Sequence, residues 1–221
     1  MKKGNICALI AVRSGSKRVP NKNIRKFANS NLLEIKLKQI KKIKGIKSFY
    51  VSSDDDHMLL LAKKHGATAL KRDPFYASDE VPMSEVYVHL ANSINCDHIA
   101  YLNVTSPLLK IETLQRCIDT YKNLDSEFDS LATVHKIKEY MWLDGKPINY
   151  DPTNHPRSQD LPNICALNFA ASILPKTVMI NNRNIVGNNF YKYFIEQEDS
   201  IDVDTMLDFS IAEFLYKKKK L

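Results

Sequence analysis

The chain has 221 residues, of which 44% are apolar and 9% aromatic, and this is enough to bury one sizeable core in a single main domain. It contains no run of about 18 apolar residues, so we expect neither a membrane span nor a secretion signal, and we predict a cytoplasmic protein. The net charge of +7 is uneven, because residues 1–50 hold 14 Lys and Arg against one Glu, while the other residues hold 18 against 24.

The basic charge therefore belongs to the N-terminal quarter. We interpret six of its lysines as one solvated helix face: Lys36, Lys38, Lys41, Lys42, Lys44 and Lys47. Nucleic acid is an alternative partner for such a segment, and we do not expect it because no aromatic residues are interleaved with the loop cations. The four cysteines show no Cys-x-x-Cys spacing, so the sequence implies neither zinc nor a disulfide framework.

The first chemical feature is a basic loop that follows a short apolar segment at residues 6–12. That segment is typical of a strand buried on both faces of a parallel sheet. Ser14, Gly15 and Ser16 allow the loop to turn tightly and to present backbone N–H groups. Its cations are Arg13, Lys17, Arg18, Lys22, Arg25 and Lys26. The loop suits a polyphosphate, although a solvated basic turn is an alternative, since neither a Walker A loop nor Gly-x-Gly-x-x-Gly is present.

At these spacings, five loop residues resemble the nucleotide signature of the CMP-sugar synthetases: Arg13, Ser16, Lys17, Lys22 and Asn23. The resemblance implies a CTP-dependent nucleotidyltransferase. It also implies that the first four of these residues hold the triphosphate, that Arg13 and Lys22 are catalytic, and that Asn23 places the nucleoside.

A βαβ unit is predicted next, with an amphipathic helix at about residues 32–40 and a strand at 48–51. Asp54 ends that strand, where parallel strands face a ligand crevice, so it is a candidate site residue, with a helix cap as the alternative. A helix is expected at 56–64 and a short strand at 68–70.

The loop at residues 72–79 precedes a predicted helix at 83–94. In the same family a loop here runs Arg-Pro, then Ala-Ser-Asp, then a Ser that contacts the nucleotide. Arg72, Ser78, Asp79 and Ser84 fit that pattern. The resemblance therefore implies that Arg72, Ser78 and Ser84 place the nucleoside, whereas the residues alone would make Asp79 and Ser84 helix caps.

Another family mark follows the predicted strand at residues 98–102 and precedes a helix at 111–121. The family usually reads Gln-Pro-Thr-Ser-Pro-Leu-Arg, and this chain has Asn103, Val104 and Leu109 at the three departures. The resemblance implies that Asn103, Thr105 and Ser106 contact the acceptor.

Residues 136–162 follow a predicted strand at 130–134 and lack periodicity, which is typical of a functional segment or an interface. The resemblance implies that they form an arm that makes a homodimer and lends Arg157 and Gln159 to the acceptor pocket. Arg157 could instead hold the arm by pairing with Asp160.

A return strand is predicted at 167–173, where the resemblance makes Asn168 an acceptor residue. Ala166 stands where the family commonly has Arg. Together with Asn103 and Leu109, this departure leads us to expect poor recognition of an ordinary sialic acid and a preference for a deoxy, acylated relative.

Asp202 and Asp204 are the second strong feature. Two residues apart on a strand, their carboxylates would reach the same side, and two convergent carboxylates suit Mg²⁺. The alternative is capping of the helix predicted at 206–216. We assign Asp202 and Asp204 as catalytic metal ligands.

Strands that alternate with helices over residues 6–134 predict an α/β fold. With the resemblance, we expect a three-layer, Rossmann-like nucleotidyltransferase domain over residues 1–221, with a mostly parallel sheet and a small dimerisation arm. The expected reaction transfers CMP from CTP, with Mg²⁺, to an acidic 2-keto sugar that is sialic acid-like or of legionaminic type. A Kdo-type sugar or a phosphate or phosphonate compound is the alternative acceptor. A regulatory module without turnover is disfavoured because both Asp residues are present.

Overall fold

The computed structural model describes residues 4–219, so the ends of the predicted 1–221 domain lie outside the described residues. A seven-stranded sheet forms its centre. In chain order its strands are β1 (Ile6–Ala11), β2 (Ile46–Ser53), β3 (Thr68–Lys71), β4 (His98–Leu102) and β5 (Ser130–Ile137), then, after the hairpin strands β6 (Trp142–Leu143) and β7 (Lys146–Pro147), β8 (Ile164–Pro175) and β9 (Phe190–Phe194).

The strands lie across the sheet in the order β3-β2-β1-β4-β8-β5-β9. Every neighbouring pair is parallel except the two that β8 makes with β4 and β5. The chain moves outward from β1 to β3 on one side and continues at β4 on the other, so the strand order reverses between β1 and β4. In open α/β sheets, ligands bind beside such a reversal, outside the carboxyl ends of the strands.

Helices cover both faces of the sheet, as predicted. They are α1 (Leu32–Ile40), α2 (Asp56–Lys64), α3 (Met83–Asn92), α4 (Ile111–Lys122), α5 (Lys176–Asn182) and α6 (Met206–Lys218). Because side chains alternate along a strand, Ala8 and Ile10 of β1 pack in one core with α1, α4 and α6, while Leu9 packs in a second core with α3 and α5. The three-layer α/β fold is thus confirmed.

Residues 138–163 leave the sheet between β5 and β8 and form a small arm. Asp144 and Gly145 turn the β6–β7 hairpin with φ of 48° and 76°, the sign that the right-handed twist of a two-residue hairpin requires. Asn149 closes the base of the hairpin by accepting from Met141 N and donating to Glu139 O, each at 2.8 Å. Whether the arm dimerises stays a prediction.

Two expectations from the sequence are wrong in detail, and two elements were missed. The six lysines do not share a helix face, because α1 ends at Ile40 and Lys36 is fully buried. Asp202 and Asp204 do not lie on a strand. The elements β9 and α5 were not predicted at all. Among the described residues, no helix is long and apolar enough to cross a membrane.

Candidate active site

A cavity of about 400 Å³ opens at the carboxyl ends of β1 and β4, where the strand order reverses. The loop after β1 forms one wall and the residues after β4 form another. Of the residues predicted to bind nucleotide or acceptor, seven line it: Arg13, Ser16, Lys17, Lys22, Asn23, Asn103 and Thr105. Fold topology therefore brings two distant sequence motifs to one site.

The loop after β1 is held in place from behind. Gly15 has a φ of +71°, with nothing within 4 Å of the position of an added Cβ, so the backbone conformation rather than space favours glycine. Ser14 donates from its backbone N to Asp54 at 2.9 Å and also from its hydroxyl. Asp54 is thus a support of the loop, and the cap of α2 is its neighbour Asp55.

Two further predicted site residues also support this loop. Asn23 is buried and donates from Nδ2 to Arg13 O at 3.0 Å, while still lining the cavity. Arg72 is 3% exposed and donates to Val12 O, so it lies beneath the loop rather than on the cavity wall. Its Nε has no hydrogen-bond partner among the described residues.

Arg13 and Lys17 are paired with an acid in this structure. Arg13 donates to Asp79 and to Ala77 O, and Lys17 Nζ lies 2.7 Å from Asp79 Oδ2. The hydrogen bonds from Lys17 and Arg13 lower the pKa of Asp79 to about 2. A triphosphate that reaches these cations therefore competes with an exposed carboxylate that stays ionised.

Two further cations of the loop, Arg18 and Lys22, contact Asp204. Arg18 Nη2 lies 2.8 Å from Asp204 Oδ1, and Lys22 Nζ lies 3.4 Å from the same oxygen. Lys22 also donates to Val203 O at 2.8 Å. Arg18 was not among the predicted site residues, and only the absence of acids near it in the sequence pointed to a partner elsewhere in the fold.

Asp202 carries a carboxyl group whose pKa is raised. Burial raises the pKa of Asp202, and the nearby negative charge of Asp204 raises it further, whereas a hydrogen bond from Thr105 and the charge of Lys22 act in the opposite direction. Oδ1 of Asp202 is buried and has no hydrogen-bond partner among the described residues. Such an oxygen is suited to a cation ligand.

The carboxylate pair is compatible with Mg²⁺, which binds through one or two carboxylates, several waters and phosphate oxygens. No group of three or more His, Cys, Asp and Glu side chains that could enclose a metal is present within residues 4–219. The donors present are compatible with an open site, in which Asp202 and Asp204 would be the protein ligands and phosphate oxygens would complete the coordination.

Helix capping, the alternative role for these acids, belongs to other residues. Thr205 is the N-cap of α6, and it forms a reciprocal capping box with Asp208. Likewise Pro82, without a side-chain hydrogen bond, precedes α3, so neither Asp79 nor Ser84 is a cap. Capping of α6 is therefore not the role of the side chains of Asp202 and Asp204.

Several predicted contacts lie away from this cavity. Arg72, Ser78 and Ser84 do not line it, and Ser106 is fully buried. Leu109 is 1% exposed and packs in the core, so the expectation that it shapes the acceptor pocket is wrong. In the arm, Arg157 Nε lies 2.8 Å from Asp160 Oδ2, which is the pairing considered as the alternative to an acceptor contact. Gln159 is exposed on the same turn.

Asn168 lies where β8 departs from regular pairing with β5. Its Oδ1 accepts from Thr133 Oγ1 at 2.6 Å and from Ala170 N at 3.1 Å, and its Nδ2 has no partner among the described residues. The next residue, Phe169, has a φ of +52°, which is strained for a bulky residue, and its carbonyl accepts from Asn103 Nδ2 at 3.0 Å. The bond from Asn103 to Phe169 thus joins the cavity wall to β8.

At its carboxyl edge, the mostly parallel sheet presents a cavity lined by a basic loop, and two cations of that loop contact Asp204. This arrangement suits an enzyme that handles a polyphosphate, and it defines the class as an α/β nucleotidyltransferase. The chain belongs to the cytidylyltransferase family, because the model of that family matches residues 7–149.

Three relatives illustrate the similarity. Post-translational flagellin modification protein B of Campylobacter coli is 27% identical over 98% of this chain and 97% of its own length. N-acylneuraminate cytidylyltransferase of Oncorhynchus mykiss is 29% identical over 96% of this chain, which spans 50% of that protein. CMP-N,N'-diacetyllegionaminic acid synthase of Campylobacter jejuni is 25% identical over 98% of this chain and 97% of its own length.

Among solved structures, CMP:2-keto-3-deoxy-manno-octonic acid synthetase in complex with CTP superposes with a TM-score of 0.72 and 13% identity, and the match covers 97% of this chain and 99% of that one. This similarity supports the fold. The protein is thus a CTP-dependent nucleotidyltransferase of the cytidylyltransferase family.

Proposed function

We propose that this cytidylyltransferase transfers CMP from CTP to the hydroxyl of an acidic 2-keto sugar and releases pyrophosphate. The observation that carries the proposal is a cavity lined by four cations of the loop after β1, two of which, Arg18 and Lys22, contact Asp204. The names of the relatives from Oncorhynchus mykiss and Campylobacter jejuni support the sugar class.

In this proposal the acceptor hydroxyl oxygen forms a bond to the α-phosphorus of CTP. The bond between that phosphorus and the oxygen that bridges it to the β-phosphate breaks, pyrophosphate leaves, and the hydroxyl proton passes to water. Arg13, Lys17 and Lys22 neutralise the triphosphate, and Lys22 holds its charge near the reacting phosphorus. Mg²⁺, when bound, would neutralise phosphate charge and polarise the attacking hydroxyl. Asp202 and Asp204 would hold it, and Thr105 would orient Asp202 by its hydrogen bond.

The acceptor pocket is proposed to lie beside Asn103, where β8 carries two exposed apolar side chains, Leu167 and Phe169. A residue that keeps a strained backbone at a site edge is a candidate for a functional role. We infer an acylated, deoxy acid of legionaminic type, whose methyl groups suit such a surface, in place of a fully hydroxylated sialic acid.

The arm is proposed to make a homodimer. Four of its large apolar side chains are exposed in the single chain: Tyr140, Trp142, Leu143 and Ile148. Several large exposed apolar side chains in one short segment are typical of an interaction site. A second copy would cover it and could bring Arg157 and Gln159 to the partner's acceptor. We further propose that the enzyme works in the cytoplasm, where its substrate CTP is available.

The test is to incubate the purified protein with CTP, Mg²⁺ and a panel of acceptors and to detect the CMP conjugate by mass. The panel should contain N,N'-diacetyllegionaminic acid, N-acetylneuraminic acid, Kdo and a phosphonate. We expect a conjugate with a nine-carbon acid and a higher kcat/KM for the legionaminic-type acid. A conjugate only with Kdo or with the phosphonate would refute the proposed acceptor class.

A further inference from the structure

Lys36 is a buried lysine on α1 whose environment offers little compensation for its charge. It is 0% exposed, and no carboxylate within residues 4–219 lies at ion-pair distance. Burial lowers the pKa of Lys36 to about 7. Its Nζ donates one hydrogen bond, at 3.0 Å, to the backbone oxygen of Ser106. Burying an ammonium group destabilises the folded state unless the group is well paired, so a selective reason to keep it is expected.

The carbonyl that Lys36 contacts belongs to the loop between β4 and α4, directly beside the candidate metal site. The preceding residue, Thr105, makes two contacts with the segment that carries the carboxylates. Its backbone oxygen accepts from Val203 N at 2.8 Å, and its side chain hydrogen-bonds to Asp202. One residue of this loop therefore receives a bond from α1, and its neighbour holds Asp202.

A second α1 side chain contacts the same loop. Gln39 donates from Nε2 to Leu109 O at 2.9 Å and to Pro107 O at 3.3 Å. Two side chains of α1 thus donate to three carbonyls of this loop, those of residues 106, 107 and 109, and Lys36 makes the contact nearest to Thr105. The amine of Lys36 carries N–H donors whether it is charged or neutral, so the bond to Ser106 O does not depend on its protonation state.

We propose that Lys36 is a positioning residue, which fixes the loop at Ser106 so that Thr105 holds Asp202 in the orientation that binds Mg²⁺. This inference rests on the proposed role of Asp202 as a metal ligand. Lys36 touches neither nucleotide nor acceptor in this account, and its effect on the reaction passes through Ser106 and Thr105.

The test compares Lys36→Met, which keeps the length of the side chain and removes its charge and donor, with Lys38→Met, whose parent lysine is 55% exposed on the same helix. Mn²⁺ binding to the protein with CTP is measured by electron paramagnetic resonance, along with turnover and Tm. For Lys36→Met we expect weaker Mn²⁺ binding by about fivefold or more and turnover reduced by about tenfold, with Tm equal or higher because a buried charge is gone. Lys38→Met should match the wild type in both Mn²⁺ binding and turnover.

Thr105→Val breaks the same chain of contacts one step later and provides a second variant. If the contacts act in series, the double variant Lys36→Met/Thr105→Val binds Mn²⁺ no more weakly than the worse single variant. Wild-type Mn²⁺ binding in Lys36→Met, or additive losses in the double variant, would overturn the proposal. Asp202→Asn distinguishes failure of the metal site from failure of the role of Lys36. If Asp202→Asn binds Mn²⁺ as the wild type does, the proposed metal site is refuted, and Lys36 has no site to position.

Discussion

Lys22 Nζ lies 3.4 Å from Oδ1 of Asp204, although 182 positions separate the two residues in the chain. The contact joins the loop after β1 to the segment before α6, so both ends of the domain meet at the site. The Lys22 side chain is 15% exposed, whereas that of Lys17 is 81% exposed. A shielded cation beside two carboxylates has a fixed position, and this is the condition for stabilising charge that develops during a reaction.

Lys22→Ala is expected to lower kcat by about 10²–10³-fold, the range seen when one fixed charge donor is removed from an active site. Because Lys22 contributes little to the core, Tm should change by only a few degrees. Lys26→Ala is the matched control, since Lys26 is an exposed lysine of the same loop that does not line the cavity. Steady-state rates with both variants check the prediction, and equal rates for the two would contradict it.

Asp202→Asn and Asp204→Asn should raise the Mg²⁺ concentration needed for half-maximal activity or abolish activity, with little change in stability. Asp208→Ala should do the reverse, because Asp208 belongs to the capping box of α6, and loss of a cap costs about 1 kcal/mol. Mg²⁺ titrations and urea unfolding of all three variants give the measurement. Fully active Asn variants of unchanged stability would restore capping as the role of the pair, because Asn caps a helix about as well as Asp does.

Much of this architecture could be predicted from local sequence. The apolar run of β1 and the caps around α2 are local, and their bounds agree closely with the structure. The pattern at Lys36 was misleading, because periodicity assigns a lysine to the solvent side and cannot reveal a buried carbonyl that faces it. Strand β9 was missed because it is a short edge strand with half-exposed side chains.

The candidate site was predictable by residue type and only partly by geometry. The loop after β1 and the acids at 202 and 204 were found as separate motifs. Their pairing through Arg18 and Lys22 depends on tertiary contacts over more than 180 positions, which no local pattern contains. The same holds for Asp79, whose contact with Arg13 and Lys17 follows from how the loop after β3 folds back.

The proposed dimer predicts that charge placed on the arm yields monomers. The double variant Trp142→Lys/Leu143→Glu should shift the mass measured by light scattering from that of two chains to that of one. The reason is that dimer formation would have to bury two charged side chains, which is energetically costly. Leu60→Glu is the control, since Leu60 is 66% exposed on α2, away from the arm. A wild-type protein that is monomeric and fully active at micromolar concentration would be incompatible with the dimer.

Lys36 predicts a pH dependence of stability. Its pKa in the folded protein is about 7, below the ordinary value of 10.5, so between these two pH values the unfolded chain holds a proton that the folded chain has released. The free energy of unfolding contributed by Lys36 therefore rises as pH increases through this window, and the penalty is fully present below it. Urea unfolding at about pH 6.5, 8 and 9.5 should show the free energy of unfolding of the wild type rising relative to that of Lys36→Met. A difference that stays constant with pH would contradict the lowered pKa of Lys36.

The nucleotide preference of pyrophosphate release tests the proposed transfer of CMP from CTP most directly. The protein is given CTP, UTP, ATP or GTP, each with Mg²⁺ and the best acidic sugar of the panel, and release of pyrophosphate is followed over time. Release should require both CTP and the sugar, and it should be lost in Lys22→Ala. Equal or faster release with ATP or GTP, or release that does not depend on the sugar, would contradict the proposed transfer.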